Sequence, residues 1–196
     1  MEEDQSLRHE YEATHDHLTG LLNRRGFENE LGLLKEVMPG DFAVLYVDLD
    51  NLKPVNETLG HAAGDALLQS AATTLISSTV RHEDETERLP DIIGRLGGDE
   101  FAIGLPHVST PEALEIVKNR LLDKFAEAKV SASIGGRIHQ GGEDTALLMH
   151  DADKLMQAEK ARRKTASFES LPKHKQLIAR LGICALRYAG VNPPRQ

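Results

Sequence analysis

Leu96-Gly97-Gly98-Asp99-Glu100-Phe101-Ala102-Ile103 sets two adjacent carboxylates behind a glycine pair, between two apolar runs. Ile92-Ile93-Gly94-Arg95-Leu96 and Phe101-Ala102-Ile103-Gly104-Leu105 read as short strands. Gly97-Gly98 reads as the tight turn joining them, because a two-residue hairpin turn needs positive φ, which glycine adopts without strain. Asp99 and Glu100 then stand at the lip of a rigid hairpin, where carboxylates can hold a hard cation or a reacting hydroxyl. Taken alone, the same residues also compose an ordinary solvated turn.

A second acidic lip lies upstream. Phe42-Ala43-Val44-Leu45-Tyr46-Val47 follows the breaker Pro39-Gly40-Asp41 and reads as a buried strand ending in Asp48-Leu49-Asp50. Alternation puts Asp48 and Asp50 on one face of that strand. Like charges at the end of a buried strand are costly unless a cation or hydrogen-bond donors compensate them. Mg²⁺ takes a few carboxylates together with nucleotide phosphates, so the two lips suit a magnesium site. For Asp50 the alternative role is to cap the helix that follows.

With these lips stand further motifs in a fixed order: Asp16-His17-Leu18-Thr19-Gly20-Leu21-Leu22-Asn23-Arg24-Arg25-Gly26-Phe27, Asp48-Leu49-Asp50-Asn51-Leu52-Lys53, Asn56, and Gly60-His61-Ala62-Ala63-Gly64-Asp65. After the signature come Val130-Ser131-Ala132-Ser133-Ile134-Gly135 and a helix carrying Ala152-Asp153 and Lys160. Over roughly residues 10 to 165 the chain resembles a GGDEF domain, the catalytic domain of diguanylate cyclases, which join two GTP into cyclic di-GMP.

The resemblance implies an α/β (α+β) fold with a central, mostly antiparallel five-stranded sheet flanked by helices, like the palm of nucleotidyl cyclases. It implies that Asp48, the Leu49 carbonyl, Asp99 and Glu100 face Mg²⁺ (or Mn²⁺), with Asp99 or Glu100 helping to deprotonate the ribose 3′-hydroxyl. Gly97 and Gly98 would let the triphosphate approach the backbone, and Lys160 and Lys53 would contact phosphates. Asn56 and Asp65 match the pair that reads guanine. A carboxylate accepts from both N1–H and the 2-amino group of guanine, and adenine offers neither donor there. Without the family, Asn56 and Asp65 also read as helix caps.

Arg88 and Asp91 match the family's inhibitory site for product; the alternative is a surface ion pair. Asp16 and Arg95 match positions that pair structurally. Each chain would bind one GTP, so the expected enzyme is a homodimer, transient if need be, of facing half-sites in bacterial second-messenger signalling. The alternative is a catalytically weak or inactive domain acting as a cyclic di-GMP or GTP receptor.

Composition agrees with a globular domain. The 196 residues allow a real core, and the net charge of −8 argues against a nucleic-acid surface or a polybasic membrane anchor. A single cysteine, Cys184, excludes an internal disulfide framework. No apolar run approaches the roughly 18–20 residues of a membrane span, and the charged N-terminus does not read as a signal peptide, so a cytoplasmic location is expected.

The expected organisation is an N-terminal helical leader over 1–15, the GGDEF domain over 16–165 and a helical extension over 166–196. The predicted helices are Asn23–Val37, Gly64–Val80, Pro111–Lys129 and Asp144–Lys164, with a charged loop over 82–90 and an extra helix over 172–187 that either packs back or dimerises. Phe27, Leu31, Leu34 and Val37 stand at helical spacing in the first helix, and the stripe Leu67, Leu68, Ala71, Ala72, Leu75 and Ile76 marks the buried face of the second.

Departures from the family pattern gather late in the chain. Gln157, Glu159, Arg163 and Lys164 stand where the family typically has Tyr, Ala, Gly and often Arg, and Lys164 keeps the charge but lacks the bidentate fork. Leu52 for an aromatic residue and Glu57 for Asp are milder changes. The departures bear on the phosphate end of the site, away from the acidic lips and the guanine pair.

Overall fold

The computed structural model of the chain describes residues 8, 9, 11–79 and 89–169. The expected extra helix over 172–187, most of the charged loop and Arg88 lie outside the described residues. A first compact unit ends at Glu159, and a second begins at Lys160.

β1 (Phe42–Leu49) is buried at every position. Such a continuous run belongs to a strand covered on both faces, and the sheet order β2-β3-β1-β4 places it inside. β2 (Ile92–Gly97), β3 (Glu100–Pro106) and β4 (Ala132–Ile138) complete an antiparallel sheet. Among the described residues the sheet has four strands, where the family resemblance implied five. Leu22 makes a single parallel bridge to Gly94, its N–H donating to the Ile93 carbonyl at 3.2 Å. One bridge is too short a pairing to count as a further strand.

Alternation along β1 divides the core. Ala43, Leu45, Val47 and Leu49 pack with Leu68, Ala71 and Leu75 of one flanking layer. Phe42, Val44 and Tyr46 pack on the other face with Phe27, Leu31, Met149 and Met156. Asp48 therefore shares the face of Tyr46. Helix α1 (Arg24–Val37) begins at Asn23, whose side chain accepts from the Gly26 N–H. Phe27, Leu31 and Leu34 are buried as the pattern predicts, whereas Val37 reaches solvent at the helix end.

Helices α2 (Leu52–Leu59) and α3 (His61–Thr79) meet at Gly60, which stands at φ 85°. This one left-handed residue ends the first helix and lets the second start at once, three residues before the predicted start. Leu68, Ala71, Ala72 and Leu75 are buried, but Ile76 is exposed, at the edge of the stripe. Helix α4 (Pro111–Glu127) has proline in its first turn and the Thr110 side chain accepting from the Ala113 N–H. Helix α5 (Thr145–Glu169) follows β4.

Gly135 shows how closely α5 lies on the sheet. A Cβ there would overlap the Met156 N–H group and the Ala152 carbonyl. Backbone cannot step aside as a flexible side chain can, so Gly135→Ala is expected to destabilise the fold by about 3 kcal/mol. Urea unfolding checks this, and an unchanged midpoint would show that α5 can lift without cost.

Candidate active site

Register assembles the acidic lips. Asp48 lies directly opposite Glu100 across the β1–β3 pair, and the Leu49 N–H donates to the Asp99 carbonyl at 3.0 Å. Directly opposed residues project to the same face of a sheet, so two carboxylates share one patch. Asp48 is only 8 % exposed. Two like charges held this way favour a cation between or beside them.

The hairpin differs from the sequence reading by one residue. Gly97 pairs with Glu100 inside the ladder, with a register shift after Arg95, so the turn residues are Gly98 and Asp99. Gly98 supplies the left-handed conformation at φ 49°. Strand pairing thus extends further than the glycine pair suggests, and Asp99 stands on the turn itself. A Cβ at Gly97 or Gly98 would meet nothing within 4 Å, which leaves open space over the hairpin.

Arg95 braces that turn. Its Nη1 donates to both oxygens of Asp16 at 3.1 Å, and its Nε and Nη2 donate to the Gly98 carbonyl at 3.1 and 2.8 Å. Asp16 also accepts from the Thr19 N–H at 2.9 Å and from its hydroxyl at 2.7 Å. Burial pushes the Asp16 carboxyl up, but the Thr19 bonds and the Arg95 guanidinium outweigh it, and the group lies below the ordinary 3.8. A depressed carboxyl stabilises the fold above its unfolded value and loses that contribution as pH falls through its folded value. The prediction is that Asp16→Asn flattens the loss of stability below about pH 4, read from urea midpoints across acid pH. An acid limb identical to the parent's would count against it.

Asp50 is not a helix cap. Its side chain accepts from the Ser131 hydroxyl at 2.7 Å and the Ser133 hydroxyl at 3.2 Å, tying the end of β1 to β4. Asn51 occupies the cap position in a left-handed conformation, with no side-chain cap bond. The cap reading of Asn56 and Asp65 also fails, because Asn56 lies inside α2 and Asp65 inside α3. Their neighbourhood is tight: a Cβ at Gly64 would overlap the Asn56 side-chain oxygen. Asn56 is half-buried against Gly64, and the adjoining Asp65 is exposed.

Lys53 is exposed and lies 3.8 Å from Glu57. Lys160 is half-buried on α5 and opens the second unit. Asp91 is half-buried just before β2, while its expected partner Arg88 lies outside the described residues.

Two neighbours of Glu100 escaped the sequence reading. The Tyr46 hydroxyl donates to Glu100 Oε2 at 3.1 Å, and Arg24 Nη2 stands 3.5 Å from the same oxygen. Tyr46 is two residues before Asp48, so strand alternation was a usable signal for it. Arg24 comes from the opening motif, and only packing brings it here. Burial raises the Tyr46 hydroxyl above its ordinary 10.0, a shift that Arg24 opposes and Glu100 reinforces, so the group stays protonated and donates. Beside them a cavity of about 410 Å³ is lined by Arg24, Tyr46, His150 and Asp153 among others.

The donor set suits Mg²⁺ or Mn²⁺, since it consists of carboxylates at a paired strand end. Among the described residues no three His, Cys, Asp or Glu side chains stand close enough to hold an ion unaided. Phosphate oxygens and water would complete the shell, as they ordinarily do for Mg²⁺.

The family model for the diguanylate cyclase GGDEF domain matches residues 13–166. The chain belongs to the GGDEF family. It is 37% identical over 169 residues to the diguanylate cyclase TpbB of Pseudomonas aeruginosa, covering 80% of this chain and 37% of that protein. It is 34% identical over 152 residues to the probable diguanylate cyclase DgcE of Escherichia coli, covering 76% of this chain and 13% of that one. The chain thus spans well under half the length of either relative.

Among solved structures it resembles a microbial GGDEF domain described in a novel interaction mode with cyclic di-GMP. That likeness has a TM-score of 0.64 and 32% identity over 78% of this chain and 94% of that one. It also resembles the diguanylate cyclase SiaD of Pseudomonas aeruginosa, in complex with its activator SiaC. Here the TM-score is 0.68, with 29% identity over 83% of this chain and 64% of that one. Among the described residues no helix is long and apolar enough to cross a membrane.

Proposed function

We propose that this chain is a diguanylate cyclase, condensing two GTP into cyclic di-GMP with release of two pyrophosphates across a homodimer of half-sites. The observation that carries the reading is the direct opposition of Asp48 and Glu100, with Asp99 on the adjoining turn and open space over Gly97 and Gly98. Asp48, the Leu49 carbonyl, Asp99 and Glu100 would hold Mg²⁺ or Mn²⁺. When bound, the ion supplies positive charge that stabilises the α-phosphate and the departing pyrophosphate.

The protein's own part is positional and acid–base. Asp65, beside Asn56, accepts from guanine and orients the nucleotide. The glycines admit the phosphates to the turn, Lys53 draws them in, and the motif alone assigns Lys160 to the same task. Asp99 or Glu100 takes the proton from the ribose 3′-hydroxyl. That oxygen bonds to the α-phosphorus of the GTP on the facing protomer as the bond to pyrophosphate breaks. A second, symmetric transfer closes the ring.

The receptor reading is favoured by one observation, that a solved relative is described with cyclic di-GMP bound. In this chain the product would bind at Arg88 and Asp91. One experiment separates the two readings. The full chain is incubated with GTP and Mg²⁺ over a dilution series, and the products are resolved by chromatography. A cyclase yields cyclic di-GMP at a rate per chain that rises with protein concentration. Binding of cyclic di-GMP without turnover identifies a receptor, and a rate per chain independent of dilution defeats the half-site mechanism.

A further inference from the structure

We propose that Tyr46 is a positioning residue for Glu100, holding one oxygen of its carboxylate so that the other is presented to a divalent cation. The inference rests on the reading of Glu100 as part of the metal-binding lip. The bonds described for this side chain converge on Oε2: Tyr46 donates to it at 3.1 Å and Arg24 stands 3.5 Å away. Two contacts on one oxygen hold that oxygen in place, and Oε1 remains as the oxygen available to other uses.

The two partners are anchored differently. Tyr46 is 5 % exposed, in the middle of the central strand, with its ring inside the core. It cannot swing away without disturbing that packing, so its hydroxyl is a fixed donor. Arg24 is half-exposed and also lies 3.8 Å from Glu28, so it is the adjustable partner. Glu100 itself is the first residue of β3, next to a two-residue turn, and has only a half-buried side chain. Left alone, it would sample many rotamers, and a cation would have to select one of them. Tyr46 removes that cost in advance.

The inference predicts coupling between two side chains, which packing alone does not produce. The test uses the full chain with Mn²⁺ alone as the probe, free ion being followed by electron paramagnetic resonance. Tyr46→Phe keeps the ring and removes only the hydroxyl, and thermal melting confirms that the fold is kept. It is expected to weaken Mn²⁺ binding about tenfold. In a Glu100→Gln background the same substitution should have no effect on the affinity that remains. With GTP present, Tyr46→Phe should lower turnover about tenfold and leave KM unchanged.

Undiminished Mn²⁺ affinity in Tyr46→Phe would overturn the proposal. So would an equal loss in both backgrounds, which marks a merely structural tyrosine, or a parent chain that binds no Mn²⁺. If the coupling holds while the parent makes no cyclic di-GMP, the cyclase reading fails and the positioning role stands.

Discussion

Glu100→Gln is expected to lower cyclic di-GMP formation about 10³-fold while leaving the chain folded. The substitution changes shape by almost nothing and removes a charge. Glutamine can still accept the Tyr46 hydroxyl that now bonds Oε2 at 3.1 Å. Two electrostatic terms of opposite sign also disappear. One is the repulsion with Asp48 directly across the ladder. The other is the contact with Arg24 at 3.5 Å, which is too exposed to contribute much to stability. Stability should therefore stay within about 1 kcal/mol of the parent.

Activity has no such compensation. The lost charge is one of the few that could hold a cation or accept the 3′-hydroxyl proton; a neutral amide is a much weaker cation ligand and accepts no proton at neutral pH. Chromatography of products from parent and variant at equal concentration, with melting curves beside them, provides the check. Near-parental turnover in Glu100→Gln would remove Glu100 from the chemistry.

The second large effect is expected at Asp65. Asp65→Asn should lower kcat/KM for GTP by on the order of 10³-fold, because it replaces an acceptor pair with one acceptor and one donor. The new NH₂ would face a hydrogen of the guanine edge, leaving two donors opposed. Inosine triphosphate lacks the 2-amino group, so the variant should lose far less with it. The parent's preference for GTP over that analogue should therefore collapse. Competition kinetics with both nucleotides read this directly. A variant that loses activity equally with both would show Asp65 to be structural. Asn56 packs against the neighbouring Gly64, its side chain filling the space that a Cβ there would need.

Periodicity and turn chemistry made much of this visible in advance. The β-branched and aromatic run from Phe42 to Val47 is the buried central strand. Phe27, Leu31 and Leu34 lie on the buried face of α1. These features are local: an apolar stripe or an alternating run has few ways to bury itself. The pairing of Asp16 with Arg95, implied by the family resemblance, is also present.

What the sequence left undetermined depends on partners distant in the chain. Asp50 looked like a cap for the helix beside it, but Ser133 of β4 and Ser131 just before that strand compete for it. Asp65 read as a cap because the helix was expected to begin only at Gly64. The break instead falls at Gly60, where a left-handed residue lets α3 begin at His61. The glycine pair seemed to be the whole turn, until ladder pairing drew Gly97 into β2.

Residue types and their order along this chain determined that two acidic lips, the Asn56 and Asp65 motifs and a glycine hairpin fall within one family-matched stretch. Only the tertiary structure decided which atoms meet. It set Glu100 opposite Asp48, and it brought Tyr46 and Arg24 to the same carboxylate oxygen. The physical reason is that register and helix packing are settled by the whole buried surface, and a sequence pattern records only each segment's preference for a face.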